Sequence, residues 1–177
     1  MKLSSLSLPM LKSAGKVGVP LYDPQSLAPG ILHIGVGNFR GAHLGAYMHD
    51  WLNENVKNAN VMIAPWGTVG ASVQQSARAE QKYQQLQAQD WLQTLVERDA
   101  DTAKATVLGS MVNVLKVEPG SETTNDVRDM LMNSPDLKIV SLTVTEGGYY
   151  LSDGVLNAND AEVQHDVENP DTPSTIF

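Results

Sequence analysis

An α/β fold is the class this chain predicts: an open, mostly parallel sheet with helices on both faces and an added β-hairpin. Three observations carry it. Apolar runs of strand length recur at "GILHIGV", "VMIAPWGTVGAS" and "LKIVSLTVTE". Segments of helical spacing lie between them, at Leu44, Tyr47, Met48, Trp51 and Leu52 and again at Val127, Met130 and Leu131. The order strand–helix–strand–helix, hairpin, helix–strand builds a parallel sheet with helices packed against it.

Composition agrees. The 177 residues are 42% hydrophobic and 18% charged, enough for one domain with its own core and too apolar for a disordered chain. A formal net charge of −8 repels nucleic-acid phosphates and anionic lipid, so neither nucleic acid nor a membrane surface is expected as a partner. A local cationic pocket for a phosphate stays compatible with that charge. The absence of cysteine excludes disulfides, thiolate nucleophiles and cysteine zinc sites. The histidines, His33, His43, His49 and His165, show no metal-binding spacing, and no metal is expected. Prolines and lysines interrupt the N-terminal "MKLSSLSLPMLKSAGKVGVP", so no signal peptide is expected there, and no run approaches the roughly 20 apolar residues of a membrane span. A soluble, cytoplasmic protein is expected.

The elements follow in order. Residues 1–29 are punctuated by Pro9, Pro20, Pro24 and Pro29 and read as an arm along the surface; residues 30–177 form the domain. Residues 30–36 read as a buried strand, and a helix starts at Asn38. The second strand falls at Trp66 to Gly70. The Gln- and Ala-rich segment after it reads as a mostly solvated helix whose clearest apolar residue is Leu86. "WLQTLVER" and "ATVLGSMVNVLKV" flank the polar turn "DADTAK" and read as an antiparallel hairpin. Residues 121–133 carry helix-start residues and a helix, and "LKIVSLTVTE" is a strand with a buried apolar start, ended by Gly147 and Gly148.

The stretch "LHIGVGNFRGAH" carries the chemistry. A dinucleotide site needs a strand that ends in a tight turn, then a helix whose unpaired N–H groups meet the pyrophosphate. Gly35 supplies the turn, and Gly37, without a Cβ, lets the backbone approach the phosphates. Asn38, Phe39 and Arg40 open the helix. The third glycine of G-x-G-x-x-G falls at position 40, which is Arg40, and Gly41 comes one residue late. A strand–turn–helix with glycines for packing alone competes evenly with the binding reading. An acidic residue usually ends the second strand and holds the adenosine ribose. Here no Asp or Glu appears until Glu80; Gln74, Gln75, Ser76 and Arg78 stand instead. These suit a 2′-phosphate better than an acid would, and they also read as ordinary exposed helix-start residues, so the choice between NAD and NADP stays open.

At "HIGVGNFRGAH" the chain resembles the mannitol dehydrogenase family of polyol-specific long-chain dehydrogenases. The G-V-G-N-F loop and the Ala-His pair stand here as Gly35 to Phe39, Ala42 and His43. "WGTVGAS", "AQDWLQTLVER", "SLTVTEGGY" and "TPSTIF" are similar to later blocks of that family in the same order, so the resemblance spans roughly Gly30 to Phe177. The family often has His then Arg after Asn-Phe, where this chain has Arg40 then Gly41. The resemblance implies a Rossmann-like domain that binds NAD, with NADP as the other candidate. It implies a whole enzyme that interconverts a sugar alcohol and a ketose by hydride transfer. The polyol or ketose is the small-molecule partner, and a C-terminal helical domain is the surface on which this part docks. The family's catalytic K-x4-N-x2-H pattern is absent from this chain. No catalytic residue is therefore assigned, and no turnover is expected of the chain alone. The competing expectation is a non-catalytic remnant or a nucleotide-binding module.

Other groups carry less. Thr143, Thr145 and Glu146 follow the last strand, where ligands sit in open α/β sheets, and the resemblance favours a role for them toward the nicotinamide ribose or the substrate. Asp90, Glu97, Asp99 and Asp101 read as a solvated acidic surface. His43 reads as a packed or helix-orienting residue, His33 as a core or sheet-edge residue, and Trp51 and Trp66 as core aromatics.

Overall fold

Four parallel strands form the sheet on which the rest of the chain is built. The structure is a computed structural model and describes residues 3–58, 65–73, 76–118, 122–144 and 146–172. In chain order its elements are α1 (Leu8–Ala14), β1 (Ala28–Ile34), α2 (Gly45–Lys57), β2 (Trp66–Ser72), α3 (Ala77–Gln87), β3 (Gln93–Arg98), β4 (Ala103–Leu108), β5 (Met111–Lys116), α4 (Thr123–Asn133), β6 (Ile139–Leu142), β7 (Leu151–Ser152), β8 (Val155–Leu156) and α5 (Ala161–Glu168). The sheet order is β5-β2-β1-β6.

Helices lie on both faces, as the alternation of the strands requires. Leu32, Val69 and Ala71 bury one face under Val127 and Met130 of α4. Met111 and Val114 bury the other under Leu86 and Tyr83 of α3. Adjacent residues of β5, Val114 and Leu115, belong to these two different clusters. The buried line of α2 is Gly45, His49 and Leu52, so Tyr47, one of the residues of the expected apolar stripe, lies in solvent at 71% exposure. Trp51 and Trp66 are half-buried rather than core.

The N-terminal arm is more ordered than its prolines suggest. Pro9 stands in the first turn of α1, where a missing N–H costs nothing, and Gly15 at φ +65° ends the helix. The arm then crosses the hairpin: Gly18 N–H donates to the Ala105 carbonyl at 2.9 Å, and Val107 N–H donates to the Gly18 carbonyl at 2.7 Å. Farther on, Leu21 N–H donates to Asn53 Oδ1 at 2.8 Å, and Tyr22 bonds His49 Nδ1 at 3.0 Å.

Three sequence expectations change. The hairpin is β3 with β4, paired from Gln93–Leu108 to Arg98–Ala103. The second half of "ATVLGSMVNVLKV" is β5, a parallel strand of the main sheet beside β2. The chain divides at Gly109, where a Cβ would stand 2.7 Å from Pro24 Cγ, and the next carbonyl, Ser110, accepts from Thr68 N–H at 2.7 Å. One apolar run thus has two partners, which alternation alone does not reveal. Second, β2 runs past Gly70 to Ser72, and β1 is displaced to Ala28–Ile34 from the expected 30–36. Third, the start of β6 is not buried: Ile139, Val140 and Leu142 are 45%, 49% and 53% exposed. Among the described residues β6 pairs with β1 on one edge and with no strand on the other.

Candidate functional site

The strand order reverses between β1 and β6: the chain builds outward from β1 to β2 and β5 on one side, then returns to place β6 on the other. In open α/β sheets such a reversal leaves a crevice at the carboxyl ends of the strands. Gly35 lies at its mouth. Its φ of +107° is one that L side chains rarely adopt, and its N–H donates to the Ala71 carbonyl of β2 at 2.9 Å. A Cβ here would stand 3.4 Å from the carbonyl of Thr143, whose own N–H donates to Ile34 at 3.1 Å. Gly37 is different. A Cβ there would meet nothing within 4 Å, so the backbone is open to an approaching ligand.

Helical backbone starts at Asn38, and Gly41 N–H is the first to bond back, to the Gly37 carbonyl at 3.4 Å. The N–H groups of Asn38, Phe39 and Arg40 therefore precede any helical acceptor. The helix widens into one π-helical turn, Arg40–Leu44, before α2. Such turns are rare and recur at functional sites.

A cleft of about 690 Å³ opens from this loop, of the size that small-molecule ligands occupy. Gly35, Gly37, Asn38 and Phe39 form one wall, Ser72 and Val73 at the end of β2 another, and Arg78, Lys82 and Tyr83 of α3 a third. Among the described residues no carboxylate lines it, although the whole chain carries −8. Lys82 Nζ donates to the Val36 carbonyl at 2.7 Å and ties α3 to the loop. Its pKa is lowered from the ordinary lysine value, first by burial and then by the charges of Arg40 and Arg78.

Arg40 also borders the cleft, yet its side chain is only 1% exposed. Its guanidinium donates inward, to Gln93 Oε1 at 2.8 Å and to Thr68 Oγ1. Nε is buried without a hydrogen-bond partner among the described residues. Burial pushes the group down to about 10, well above neutrality, so it stays a cation behind the loop. Arg40 thus joins β2, the hairpin and the glycine loop, and Thr68 extends the network by donating to the Ser110 carbonyl at 3.1 Å.

The remaining sequence candidates divide. Thr143 lines the cleft, and its Oγ1 bonds His33 Nε2 at 3.1 Å. His33 is 3% exposed and spans β1 to β6 through Ser141 Oγ at 2.9 Å as well. Thr145, Gln74 and Gln75 lie outside the described residues, as does the side chain of Glu146, whose backbone opens a short 3-10 turn. His43, expected to pack or to orient the helix, is exposed with its ring 4.9 Å from that of Phe39. Lys82 was not singled out from the sequence. Its only sequence signal is a lone lysine one helical turn beyond Arg78, and the fold alone brings it to Val36.

Fold and cleft together define a Rossmann-type domain with a glycine loop at its switch point. Residues 29–177 match the family described as the mannitol dehydrogenase Rossmann domain, and the chain belongs to it. It is similar to the mannitol 2-dehydrogenase of Cereibacter sphaeroides, 37% identical over 160 residues that cover 89% of this chain and 31% of that protein. It is similar to the polyol:NADP oxidoreductase of Gluconobacter oxydans (strain 621H), 36% identical over 166 residues, 91% of this chain and 31% of that protein. It also superposes on the mannitol 2-dehydrogenase of Pseudomonas fluorescens in a ternary complex with NAD and D-mannitol. There the TM-score is 0.74 and the identity 32%, over 100% of this chain and 34% of that one. The chain spans about a third of the length of the curated relatives it matches. The residues present suit a dinucleotide: an unobstructed glycine at the approach, a positive-φ glycine in the turn and, among the described residues, a cleft wall without carboxylates. No helix of the described residues is long and apolar enough to cross a membrane.

Proposed function

We propose that this chain is the dinucleotide-binding portion of an NAD(P)-dependent oxidoreductase that interconverts a sugar alcohol and a ketose. The observation that carries the reading is the open approach at Gly37, beside the turn at Gly35, on a cleft whose described lining bears cations and no carboxylate. Gly35, Gly37 and the first-turn N–H groups of Asn38 and Phe39 would hold the pyrophosphate. Arg40 acts from behind as a positioning residue. Its charge adds to the potential at the loop, and its bonds to Thr68 and Gln93 hold the loop's place. Thr143 would border the nicotinamide half, and Thr145 and Glu146 follow it in the sequence. The nicotinamide, when bound, accepts or gives the hydride. The chain's own residues bind and orient it, and the groups that act on the polyol belong to further polypeptide.

That further polypeptide has a place to pack. Ile139, Val140 and Leu142 of β6, then Leu151, Val155, Leu156 and Val167, are 45–76% exposed. Exposed apolar side chains in this number seek a partner, and the relatives' additional length would cover them.

Titration of the chain with NADH, followed by energy transfer from tryptophan, tests the reading. Saturable binding is expected, weakened about a hundredfold or more in Gly37→Asp, which sets a carboxylate against the phosphates. Absence of binding at millimolar dinucleotide would overturn it.

A further inference from the structure

We infer that this cleft selects the 2′-phosphorylated dinucleotide over the unphosphorylated one, and that Arg78 makes the selection. The inference rests on the dinucleotide reading above and concerns the opposite end of the cofactor from the chemistry. The cleft runs from the loop at Gly37 to the end of β2 at Ser72 and Val73. With the pyrophosphate at Gly37, the adenosine ribose falls at the end of β2. An acid there would hold the 2′- and 3′-hydroxyls and repel a phosphate. Ser72 ends the strand instead, and Val73 follows.

The first acid beyond β2 is Glu80, which is engaged elsewhere. It meets Lys116 Nζ at 2.6 Å, accepts from Gln84 at 2.9 Å and lines a smaller cavity that adjoins the cleft at Ser72, Ala79 and Tyr83, with Lys116 and Glu118 on its far side. The side chain that reaches the cleft from the start of α3 is Arg78. It is exposed, and no carboxylate is paired with it among the described residues. One turn farther, Lys82 is committed to the Val36 carbonyl. Among the described residues Arg78 is therefore the cation left for a ligand at this end. A 2′-phosphate brings about two further negative charges and acceptors that suit a guanidinium fork. Both would fall in a cleft that, among the described residues, carries Arg40, Arg78 and Lys82 and no carboxylate.

Parallel titrations of the chain with NADPH and NADH test this. NADPH is expected to bind about tenfold or more tightly. Arg78→Gln should remove most of that preference by weakening NADPH while leaving NADH within about twofold. Arg78→Glu should reverse it. Arg78 is exposed, so neither variant threatens the fold. Lys82→Met, which loosens the loop itself, should weaken both ligands together. Equal affinities, tighter NADH, or a preference that survives Arg78→Gln would overturn the inference and leave the dinucleotide reading standing. Failure to bind either ligand would overturn both.

Discussion

β1 and β6 lie side by side in one sheet, and both are short runs of apolar residues, yet they live in different surroundings. β1 has a strand on each edge and buries Gly30, Ile31, Leu32 and His33 in succession. β6 has a strand on one edge, and its burial is mostly exposed residue by residue. The elements that follow it, β7, β8 and α5, keep the same character. The cleft sits on the seam between the two regions, with Gly35 from one side and Thr143 from the other. The pyrophosphate half of the proposed site is therefore built by residues that support one another within this chain. Beyond Thr143 the chain exposes Leu151, Val155, Leu156 and Val167. In our reading, dinucleotide binding and completion of the active site are separable properties, one carried by each region.

The largest expected effect measures that contrast directly. Leu32 is fully buried, and Leu32→Ala should cost about 2–5 kcal/mol in urea denaturation. Leu142 is half in solvent, and Leu142→Ala should cost about 1 kcal/mol or less. If the two losses are equal, β6 is covered in solution. Light scattering across a concentration series would then show self-association through that edge.

A smaller effect separates the two glycines of the loop. Gly35→Ala forces a side chain into positive φ and should cost about 1–3 kcal/mol of stability. Gly37→Ala meets nothing in the protein and should leave stability within about 0.5 kcal/mol. Its cost should appear in dinucleotide affinity instead. Equal losses of stability at the two positions would mean that Gly37 is a packing glycine, and the cradle would lose its support.

The fold class and the glycine loop were legible because they depend on local pattern: an apolar run, two glycines, then helical spacing. The partner of each strand was not. β4 and β5 form one apolar stretch in the sequence, and only the close approach of Gly109 to Pro24 and the bond from Thr68 to Ser110 divide it. Exposure at β6 was illegible for a related reason: "LKIVSL" has the composition of a core strand, and its surroundings come from other segments. Arg40 was legible as a cation beside the loop but not as a buried one, because Thr68 and Gln93, the groups that accept from it, are distant in sequence. Lys82 shows the same limit, since its acceptor is a backbone carbonyl with no residue-type signature.

The smallest effect comes from pH, and it acts on the seam. His33 is buried between Ser141 and Thr143, and its pKa is lowered from 6.5, first by burial and then by the charge of Arg40. The hydroxyls on either side can each donate or accept, so protonation need not break these bonds. What it adds is an unsolvated charge near a guanidinium that is already buried. In the unfolded chain the imidazole titrates at its ordinary value and binds a proton first. The contribution is therefore present above pH 6.5 and is lost as pH falls through the lower folded value. His49, also lowered by burial, adds a loss of the same sign at α2. Urea denaturation from pH 7.5 down to 5 should show falling stability, with a shallower slope in His33→Gln, which keeps a polar bridge but does not titrate. An unchanged slope would mean that His33 keeps its ordinary pKa and that water reaches the seam between β1 and β6. In that case the covered region would end one strand earlier than the geometry places it.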